Sequence, residues 1–317
     1  MNVVWMILLL VGGFILLVKG ADLFVDGACG LSNKLKIPAY VIGLTVVAFG
    51  TSLPEAAVSV TASIQGSNEI AIGNVIGSNC FNTLVVLGAS ALFAPVVVKK
   101  NLLKRDFPFC LGITILMLVL MTTLGGGQIA LTRISGIILL AFFAVFMTIS
   151  VLSGKKEAKL AESVEEEKPM SLTKCIVLAV VGVAGVIVGG QLTVEGAKSL
   201  AEIVGLRDKV IALTVVAVGT SLPELVTSIV AARKKQNDIA VGNVIGSNIF
   251  NILFILGASA TIGTITTDIS AVIDASVLVG IVALTYVFSL AKRSINRVEG
   301  IVMILVYVAY TAYLLIR

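Results

Sequence analysis

The sequence contains no histidine among its 317 residues, which removes the most common transition-metal ligand and the most common proton shuttle from any candidate site. Cysteine is scarce. The four residues, Cys29, Cys80, Cys110 and Cys175, form neither a CxxC pair nor a disulfide framework, so we interpret them as small packing residues. Charged residues make up only 13% of the chain, whereas 58% of residues are hydrophobic and the mean hydropathy is +1.09. These values exclude an ordinary soluble domain and indicate an integral membrane protein.

Apolar runs of roughly 17 to 25 residues follow one another with short polar breaks, which is the length a helix needs to cross about 30 Å of hydrocarbon. The sequence therefore predicts an all-α integral membrane protein with about ten transmembrane helices. The segment 20–37 is moderately apolar and is expected to prolong the first helix or to bend from it. The predicted spans are residues 3–19, 38–64, 70–95, 107–124, 131–152, 173–200, 208–232, 239–263, 270–291 and 297–316.

Basic residues are distributed unevenly along this path. With the N-terminus on the outer side, 17 of the 23 Lys and Arg residues fall in cytoplasmic loops, 5 fall in outer loops, and Lys19 is unassigned. This asymmetry predicts a multi-pass protein of the cell membrane with both termini on the extracytoplasmic side. The net charge of +5 therefore reflects orientation in the bilayer. Neither a nucleic-acid partner nor an obligatory protein partner is implied, because the basic residues stand in short loops without interleaved aromatic residues.

Two segments of the sequence repeat each other without a gap. IGLTVVAFGTSLPEAAVSV begins at Ile42 and IALTVVAVGTSLPELVTSI at Ile211, and GNVIGSNCFN is followed by GNVIGSNIFN at the same offset of 169 residues. Each repeat unit is about five spans long, and an odd number of crossings makes the second copy enter the membrane from the opposite side. Such inverted repeats are typical of secondary transporters.

The repeat divides the chain into two five-helix halves. The first half is predicted at 1–152, with its repeated segment at about 38–95, and the second at 173–317, with its repeated segment at about 208–263. Between them, residues 153–172 are polar and rich in both signs of charge. We interpret this stretch as a solvated cytoplasmic linker, with a regulatory ion-binding loop as the alternative.

Each copy places a carboxylate, Glu55 or Glu224, inside an apolar span. A charged side chain at the centre of a membrane helix costs at least ~2.5 to 3.5 kcal/mol, so it marks an ion or substrate path unless it is paired. The neighbouring spans offer no Lys or Arg at comparable depth. Pro54 and Pro223 remove an amide hydrogen and disfavour helical geometry just before them, so each span is predicted to break at GTSLP.

Hard oxygen ligands surround both glutamates in the sequence. Hydroxyl and carboxylate groups three or four positions apart share a helix face. The two carboxylates sum to −2, which one divalent cation neutralises, and the lack of histidine and of thiolate pairs favours calcium, sodium or protons over zinc or copper. Small residues beside the asparagines, as in Asn74–Gly77 and Asn243–Gly246, also permit close helix packing, which is the alternative interpretation. The candidate ligands are Thr51, Ser52, Glu55, Ser78 and Asn82 in the first half and Thr220, Ser221, Glu224, Ser247 and Asn251 in the second.

The doubled GTSLPE and GNVIGSN sequences resemble the two alpha-repeats of the calcium/cation antiporter superfamily, in particular its prokaryotic sodium/calcium exchanger branch. The resemblance covers both halves. It implies exchange of calcium for sodium by alternating access, with residues 3–34 and 173–204 as the moving gates. For calcium it implies ligation by both glutamates and the backbone carbonyls of Thr51 and Thr220. For sodium it implies the same glutamates with Ser52, Ser78, Ser221, Ser247 and the carbonyls of Ala48 and Ala217.

In one respect the sequence departs from that family. Many such exchangers pair an Asn in one repeat with an Asp in the other, whereas Asn82 and Asn251 are both Asn. By the resemblance, the missing Asp implies transport that does not depend on potassium. A proton/calcium antiporter using the same site is the alternative.

Other classes of protein fit the sequence less well. A cation channel could use the same oxygens, but it would need no counter-ion. An intramembrane protease would need a Ser-His dyad or a GxGD sequence, and neither is present. We therefore expect a transporter with no enzymatic activity and no cofactor.

Overall fold

Helices make up nearly all of the computed structural model, which describes residues 3–160, 170–203 and 217–316. Four two-residue strands lie between them, namely β1 (Val96–Val97), β2 (Ala130–Leu131), β3 (Ile265–Thr266) and β4 (Ser294–Ile295). The helices are α1 (Val3–Leu35), α2 (Ala39–Thr51), α3 (Leu53–Ile64), α4 (Asn68–Phe93), α5 (Leu102–Thr123), α6 (Arg133–Leu160), α7 (Leu172–Ile203), α8 (Ala217–Thr220), α9 (Leu222–Arg233), α10 (Asn237–Ile262), α11 (Ile269–Lys292) and α12 (Arg297–Ile316).

Within the described residues, eight helices are long and apolar enough to cross a membrane alone, and the bent pair α2–α3 makes a ninth span. This confirms the prediction of an all-α membrane protein. The expected span 208–232 lies partly outside the described residues, which leave out 204–216. The count of ten spans and the inverted orientation of the second half in the membrane therefore stay predictions.

The first helix is longer than its predicted span, 3–19. It continues without a break to Leu35, so the segment 20–37 prolongs it. No proline interrupts this stretch before Pro38, and Gly20 and Gly27 are buried against α7. Packing against α7 therefore offsets the low helix propensity of these glycines.

Helix α5 begins at Leu102, ahead of its predicted span 107–124. Its first turn is a π turn that contains charged residues, and Arg105 Nε pairs with Asp106 Oδ1 at 2.8 Å. The π turn precedes Pro108, whose missing amide hydrogen would otherwise interrupt the helix. Asp106 is buried, and the ion pair with Arg105 neutralises its charge at the start of this apolar helix.

Helix α6 ends at Leu160, eight residues past its predicted span, 131–152. The additional turns take up the first part of the expected linker, and contacts from distant residues hold them. Glu157 accepts hydrogen bonds from the Tyr40 hydroxyl at 2.7 Å and from the Asn101 amide at 2.6 Å. The remainder of the linker, residues 161–169, lies outside the described residues.

Both GTSLP sequences interrupt a helix, as predicted. α2 and α3 meet at Ser52 with a bend of 52°, and Ser221 separates α8 from α9. The proline of each motif stands in the first turn of the following helix, where a missing amide hydrogen is best tolerated. Glu55 and Glu224 occupy the same turn, so each break places a carboxylate at a helix N-terminus.

The connections between helices pair in two small antiparallel sheets. Val96 of β1 lies opposite Ile295 of β4, and Ala130 of β2 lies opposite Thr266 of β3. β1 and β3 are 169 positions apart, and each sheet pairs one strand of the first half with one strand of the second. An alternating path puts the loops of one sheet on one side of the membrane and those of the other sheet on the opposite side. These contacts agree with that path, while the side that faces the cytoplasm stays a prediction.

Helices α1 and α7 pack antiparallel along a seam of glycines. A Cβ at Gly13 would lie 2.6 Å from the amide nitrogen of Thr193, and one at Gly20 would lie 2.6 Å from that of Val186. Such contacts leave no room for a side chain, and close backbone approach through small residues is common between membrane helices. The seam repeats every seven residues and comprises Gly13, Gly20 and Gly27 on α1 and Gly182, Gly189 and Gly196 on α7.

The most buried spans are α10 and α4, which carry the repeated GNVIGSN sequences. Of their most apolar 18-residue windows, 94% and 72% are buried, against 11% for α12. α10 and α4 therefore form the centre of the bundle, and their polar side chains are shielded from lipid.

Candidate cation site

Glu55 and Glu224 lie in the interior, one contributed by each half. Each has 0% exposure and stands in the first turn of its helix, α3 or α9. Within the described residues, no Lys or Arg nitrogen lies within 4.0 Å of either carboxylate. Two buried carboxylates without protein cations need other partners, because burying an unpaired charge is costly.

Serine hydroxyls cross between the halves to bind the carboxylates. Ser52 Oγ donates to Glu224 Oε1 at 2.7 Å, and Ser221 Oγ donates to Glu55 Oε1 at 2.8 Å. The sequence spacing predicts that Ser52 shares a face with Glu55 of its own half, and both side chains do reach this one site. Ser52 and Ser221 stand at the helix breaks, with ψ of 9° and 6°, and the spacing alone does not show that their hydroxyls donate to the glutamate of the opposite half. We name these four residues the crossed ring.

Two more serines approach the crossed ring from α4 and α10. Ser78 Oγ lies 3.5 Å from Glu55 Oε1, and Ser247 Oγ lies 3.4 Å from Glu224 Oε1. Ser78 Oγ also lies 3.1 Å from Ser221 Oγ. The structure thus brings together six of the predicted ligands, three from each half.

One oxygen of each carboxylate has no hydrogen-bond partner. Oε2 of Glu55 and Oε2 of Glu224 are both buried and unpartnered within the described residues. Leaving such an oxygen unsatisfied costs about 1–3 kcal/mol, and more for a charged group. A cation bound by both carboxylates would satisfy these two oxygens, and carboxylate, hydroxyl and carbonyl oxygens are the ligands that Ca²⁺ and Na⁺ prefer. The described chain contains no group of three or more Asp, Glu, Cys or His side chains that could hold a metal elsewhere.

The remaining residues of the predicted set flank the breaks. Thr51 is fully buried and Thr220 is half-buried, at the ends of α2 and α8. The Ala48 carbonyl accepts the amide hydrogen of Ser52 at 3.1 Å and the hydroxyl of Thr51 at 3.4 Å. Ala217 begins α8, and its backbone lies one turn before the second break.

Asn82 and Asn251 are fully buried, and each begins a π turn. Asn251 Nδ2 donates to Asn79 Oδ1 at 2.9 Å, whereas Oδ1 of Asn251 and both amide atoms of Asn82 have no partner among the described residues. No hydrogen bond in this part of the chain joins either asparagine to a glutamate, so the crossed ring does not include them. π turns are frequent at functional sites because they re-aim side chains.

Asn74 and Asn243, predicted to permit close helix approach, also bind polar groups behind the glutamates. Asn74 Nδ2 donates to Ser59 Oγ at 2.9 Å, and Asn243 Nδ2 donates to Ser228 Oγ at 3.0 Å. Asn243 Oδ1 accepts from the Thr51 hydroxyl at 3.1 Å, which joins the second half to the first break. The sequence analysis did not include Ser59 and Ser228 among the site residues. The repeat could have indicated them, since they lie one turn after the glutamates at the same offset of 169.

Replacing Asn243 with alanine is expected to weaken calcium binding while the protein stays folded. The substitution removes the amide that joins Ser228 to Thr51, and losing two buried hydrogen bonds of about 1 kcal/mol each corresponds to roughly a tenfold or greater rise in the half-saturating calcium concentration. Calcium titration of uptake measures this value. Asn68→Ala is the matched control, because Asn68 bonds Thr266 at an exposed position at 3.1 Å. An equal rise in both variants would contradict the positioning role of Asn243.

Carboxylates deep in a helical membrane bundle, faced by hydroxyls at broken helices, are features of proteins that carry cations across membranes. The fold and site therefore define a membrane transporter of cations. The family model described as sodium/calcium exchanger protein matches residues 5–152 and 174–316. The chain belongs to this family.

Individual relatives match along nearly the whole chain. It is 39% identical over 310 residues to the putative antiporter CaxA of Alkalimonas amylolytica, covering 94% of this chain and 95% of the relative. It is 34% identical over 341 residues to the sodium/calcium exchanger MaX1 of Methanosarcina acetivorans, covering 97% of each. The solved structure of the sodium-calcium exchanger NCX_Mj, soaked with zero Na⁺ and Ca²⁺, superimposes with a TM-score of 0.85 at 35% identity and covers 99% of this chain and 100% of that one. The family resemblance carried by the repeated motifs is thereby confirmed.

Proposed function

We propose that this chain is a secondary active antiporter that exchanges calcium for sodium across the cell membrane. One observation carries the proposal. Two fully buried glutamates, one from each half, each hold a serine of the other half on one oxygen and leave the second oxygen without a protein partner. Membership of the sodium/calcium exchanger family supports cation exchange at this site.

The charge of the site suits exchange between the two cations. Glu55 and Glu224 sum to −2, which one Ca²⁺ neutralises, and Na⁺ competes for the same oxygens. Calcium is ligated by the two glutamates and by the backbone carbonyls of Thr51 and Thr220. Sodium uses the glutamates with Ser52, Ser78, Ser221, Ser247 and the carbonyls of Ala48 and Ala217.

The same charge explains why transport is coupled. An unloaded pair of carboxylates in a low-dielectric interior resists rearrangement, because charge without a partner must be moved through apolar surroundings. A bound cation of either kind lowers this barrier, so the site returns across the membrane only when it is loaded. The helices at 3–34 and 173–204 are the moving gates, and Asn82 and Asn251, being neutral, offer no third carboxylate for potassium.

Calcium uptake into sealed proteoliposomes tests the proposal directly. An outward sodium gradient is expected to drive uptake, and collapsing that gradient is expected to abolish it. A potassium gradient should have no effect. Uptake driven by a proton gradient alone would replace sodium with protons as the coupling ion, and a conductance independent of any gradient would identify a channel.

Replacing Asn251 with aspartate is expected to change the sodium or proton dependence of transport while calcium binding is preserved. A protonated aspartate can keep the hydrogen bond to Asn79, whereas an ionised one cannot donate and adds a third negative charge to the interior. Calcium uptake is measured against sodium concentration at several pH values. Asn248→Asp is a control, since Asn248 is buried and donates to Thr83 at 2.7 Å. Identical sodium and pH profiles in Asn251→Asp and the unmodified protein would remove Asn251 from the coupling site.

A further inference from the structure

Lys234, the residue that follows α9, contacts α1. Its Nζ lies 2.7 Å from Asp22 Oδ1 and 2.6 Å from Asp26 Oδ1, and it donates to the backbone carbonyl of Asp22 at 3.1 Å. The Lys234 side chain is 29% exposed, and those of the aspartates are 47% and 48% exposed. Burial alone would lower the pKa of Lys234, but the hydrogen bonds that its ammonium donates to Asp22 and Asp26, together with their negative charge, outweigh burial and raise that pKa above its usual value. The ammonium therefore stays charged in this cluster.

This cluster lies at the far end of the helix that carries Glu224. Glu224 stands at the start of α9 and Lys234 just past its end, so about 15 Å of helix separates them. α1 runs beside α9, and its Phe24, only 2% exposed, lies against Gly50 at the first break, where a Cβ would be 2.8 Å from the ring carbon Cζ. α1 is therefore in contact both with Lys234 at the end of α9 and with Gly50 at the first break.

At the equivalent positions of the other half, the described residues form no such cluster. The three residues that stand 169 positions away are Gln65, Gln191 and Glu195. They include no cation, and all three are exposed, whereas Lys234 and its aspartates are partly buried against each other. The two ends that are equivalent in the repeat thus differ among the described residues, because α1 packs on α9 with ion pairs at one end, whereas α7 makes little contact with α3 at the other.

We propose that Lys234, Asp22 and Asp26 form an ionic latch that holds α1 on α9, closes the cation site at that end, and biases the protein toward the state open at the opposite end. The uneven distribution of basic residues predicts that the latched end faces the cytoplasm. The proposal rests on the proposed antiport function, which requires access from each side in turn. Partly exposed ion pairs are individually weak, but two of them acting on one helix suffice to shift a two-state equilibrium several-fold.

Two reciprocal substitutions test the latch. Lys234→Gln installs the residue of the other half and is expected to lower the half-saturating calcium concentration at the latched end about three- to tenfold and to raise it at the other end. Gln65→Lys places a cation at the position equivalent to Lys234 and is expected to shift both values in the opposite direction. The values are measured in sealed vesicles of each orientation. Parallel changes at both ends, or none, would overturn the proposal.

A labelling readout keeps the test independent of transport. Cys29 is half-buried on α1, one turn beyond Asp26, while the chain's other cysteines are buried. A membrane-impermeant maleimide applied from the latched end is expected to modify Cys29 several-fold faster in Lys234→Gln. The charge-swapped double variant Lys234→Asp with Asp26→Lys is expected to restore the slow rate. Unchanged Cys29 labelling in Lys234→Gln would refute the latch even if antiport is confirmed, and faster labelling would support it even if calcium flux proved gradient-independent.

Discussion

Glutamine in place of Glu55 or Glu224 is expected to abolish calcium transport, with an initial rate at least about 100-fold below that of the unmodified protein. Glutamine keeps the shape of the side chain but removes the charge, and losing a buried charged partner is worth about 3 kcal/mol or more, which corresponds to that factor. Because each variant also removes a buried negative charge, the thermal midpoint in detergent is expected to stay the same or rise. Loss of transport together with retained stability therefore identifies a ligand.

Glu69→Gln is the matched control for these variants. Glu69 also stands in the first turn of a helix, α4, but its side chain is exposed. The Glu69→Gln variant should therefore transport calcium at the rate of the unmodified protein. Unimpaired transport in either Glu55→Gln or Glu224→Gln would exclude that glutamate from the site. Since the crossed ring joins both carboxylates, we expect the two single variants to be equally defective.

Alanine at Gly13 is expected to destabilise the protein and reduce the amount that folds, whereas alanine at Gly12 is expected to be tolerated. A Cβ at Gly13 would press on backbone atoms of α7, at 2.6 Å from the Thr193 nitrogen and 2.9 Å from the Gly189 oxygen. Backbone cannot yield as a flexible side chain can, so the two helices must separate, at about 1–3 kcal/mol or more for overpacking. A Cβ at Gly12 meets no atom within 4 Å. The pair therefore compares the same chemical change at adjacent positions.

Thermal unfolding in detergent and folded yield measure this difference. Equal midpoints for Gly12→Ala and Gly13→Ala would contradict the close approach of α1 and α7. The combined Gly13→Ala and Gly182→Ala variant is expected to lose less than the sum of the two single effects, because separating α1 from α7 for one alanine also makes room for the other.

The elements of the fold were predictable from the sequence wherever a single strong signal acted. The apolar runs predicted the spans, the proline of GTSLP predicted the breaks, and a carboxylate in an apolar run marked the site at Glu55 and Glu224. The predicted helix ends were wrong where contacts with distant residues stabilise helix that the local sequence does not indicate. Glu157 keeps the end of α6 helical through Tyr40 and Asn101, which are distant in sequence and could not be paired with it beforehand.

Within the site, the residue types were predictable and their pairing was not. Helical spacing places Ser52 on the face of Glu55, and both reach the crossed ring, but it cannot show that the Ser52 hydroxyl donates to Glu224 of the other half. Asn74 and Asn243 could be read as packing residues because asparagine beside glycine serves both purposes. Only the positions of Ser59 and Ser228 decide that these amides also support the glutamate-bearing helices.

The crossing of the serines has a mechanical consequence. Each hydroxyl belongs to the helix break of one half, and each carboxylate belongs to the helix of the other half. A cation that draws Glu224 toward itself therefore also pulls on the break at Ser52. The reciprocal bond passes the same tension from Glu55 to Ser221. Binding of a cation therefore acts on both helix breaks at once, through hydrogen bonds of 2.7 and 2.8 Å. This direct contact couples the two halves without any conformational change in the rest of the bundle.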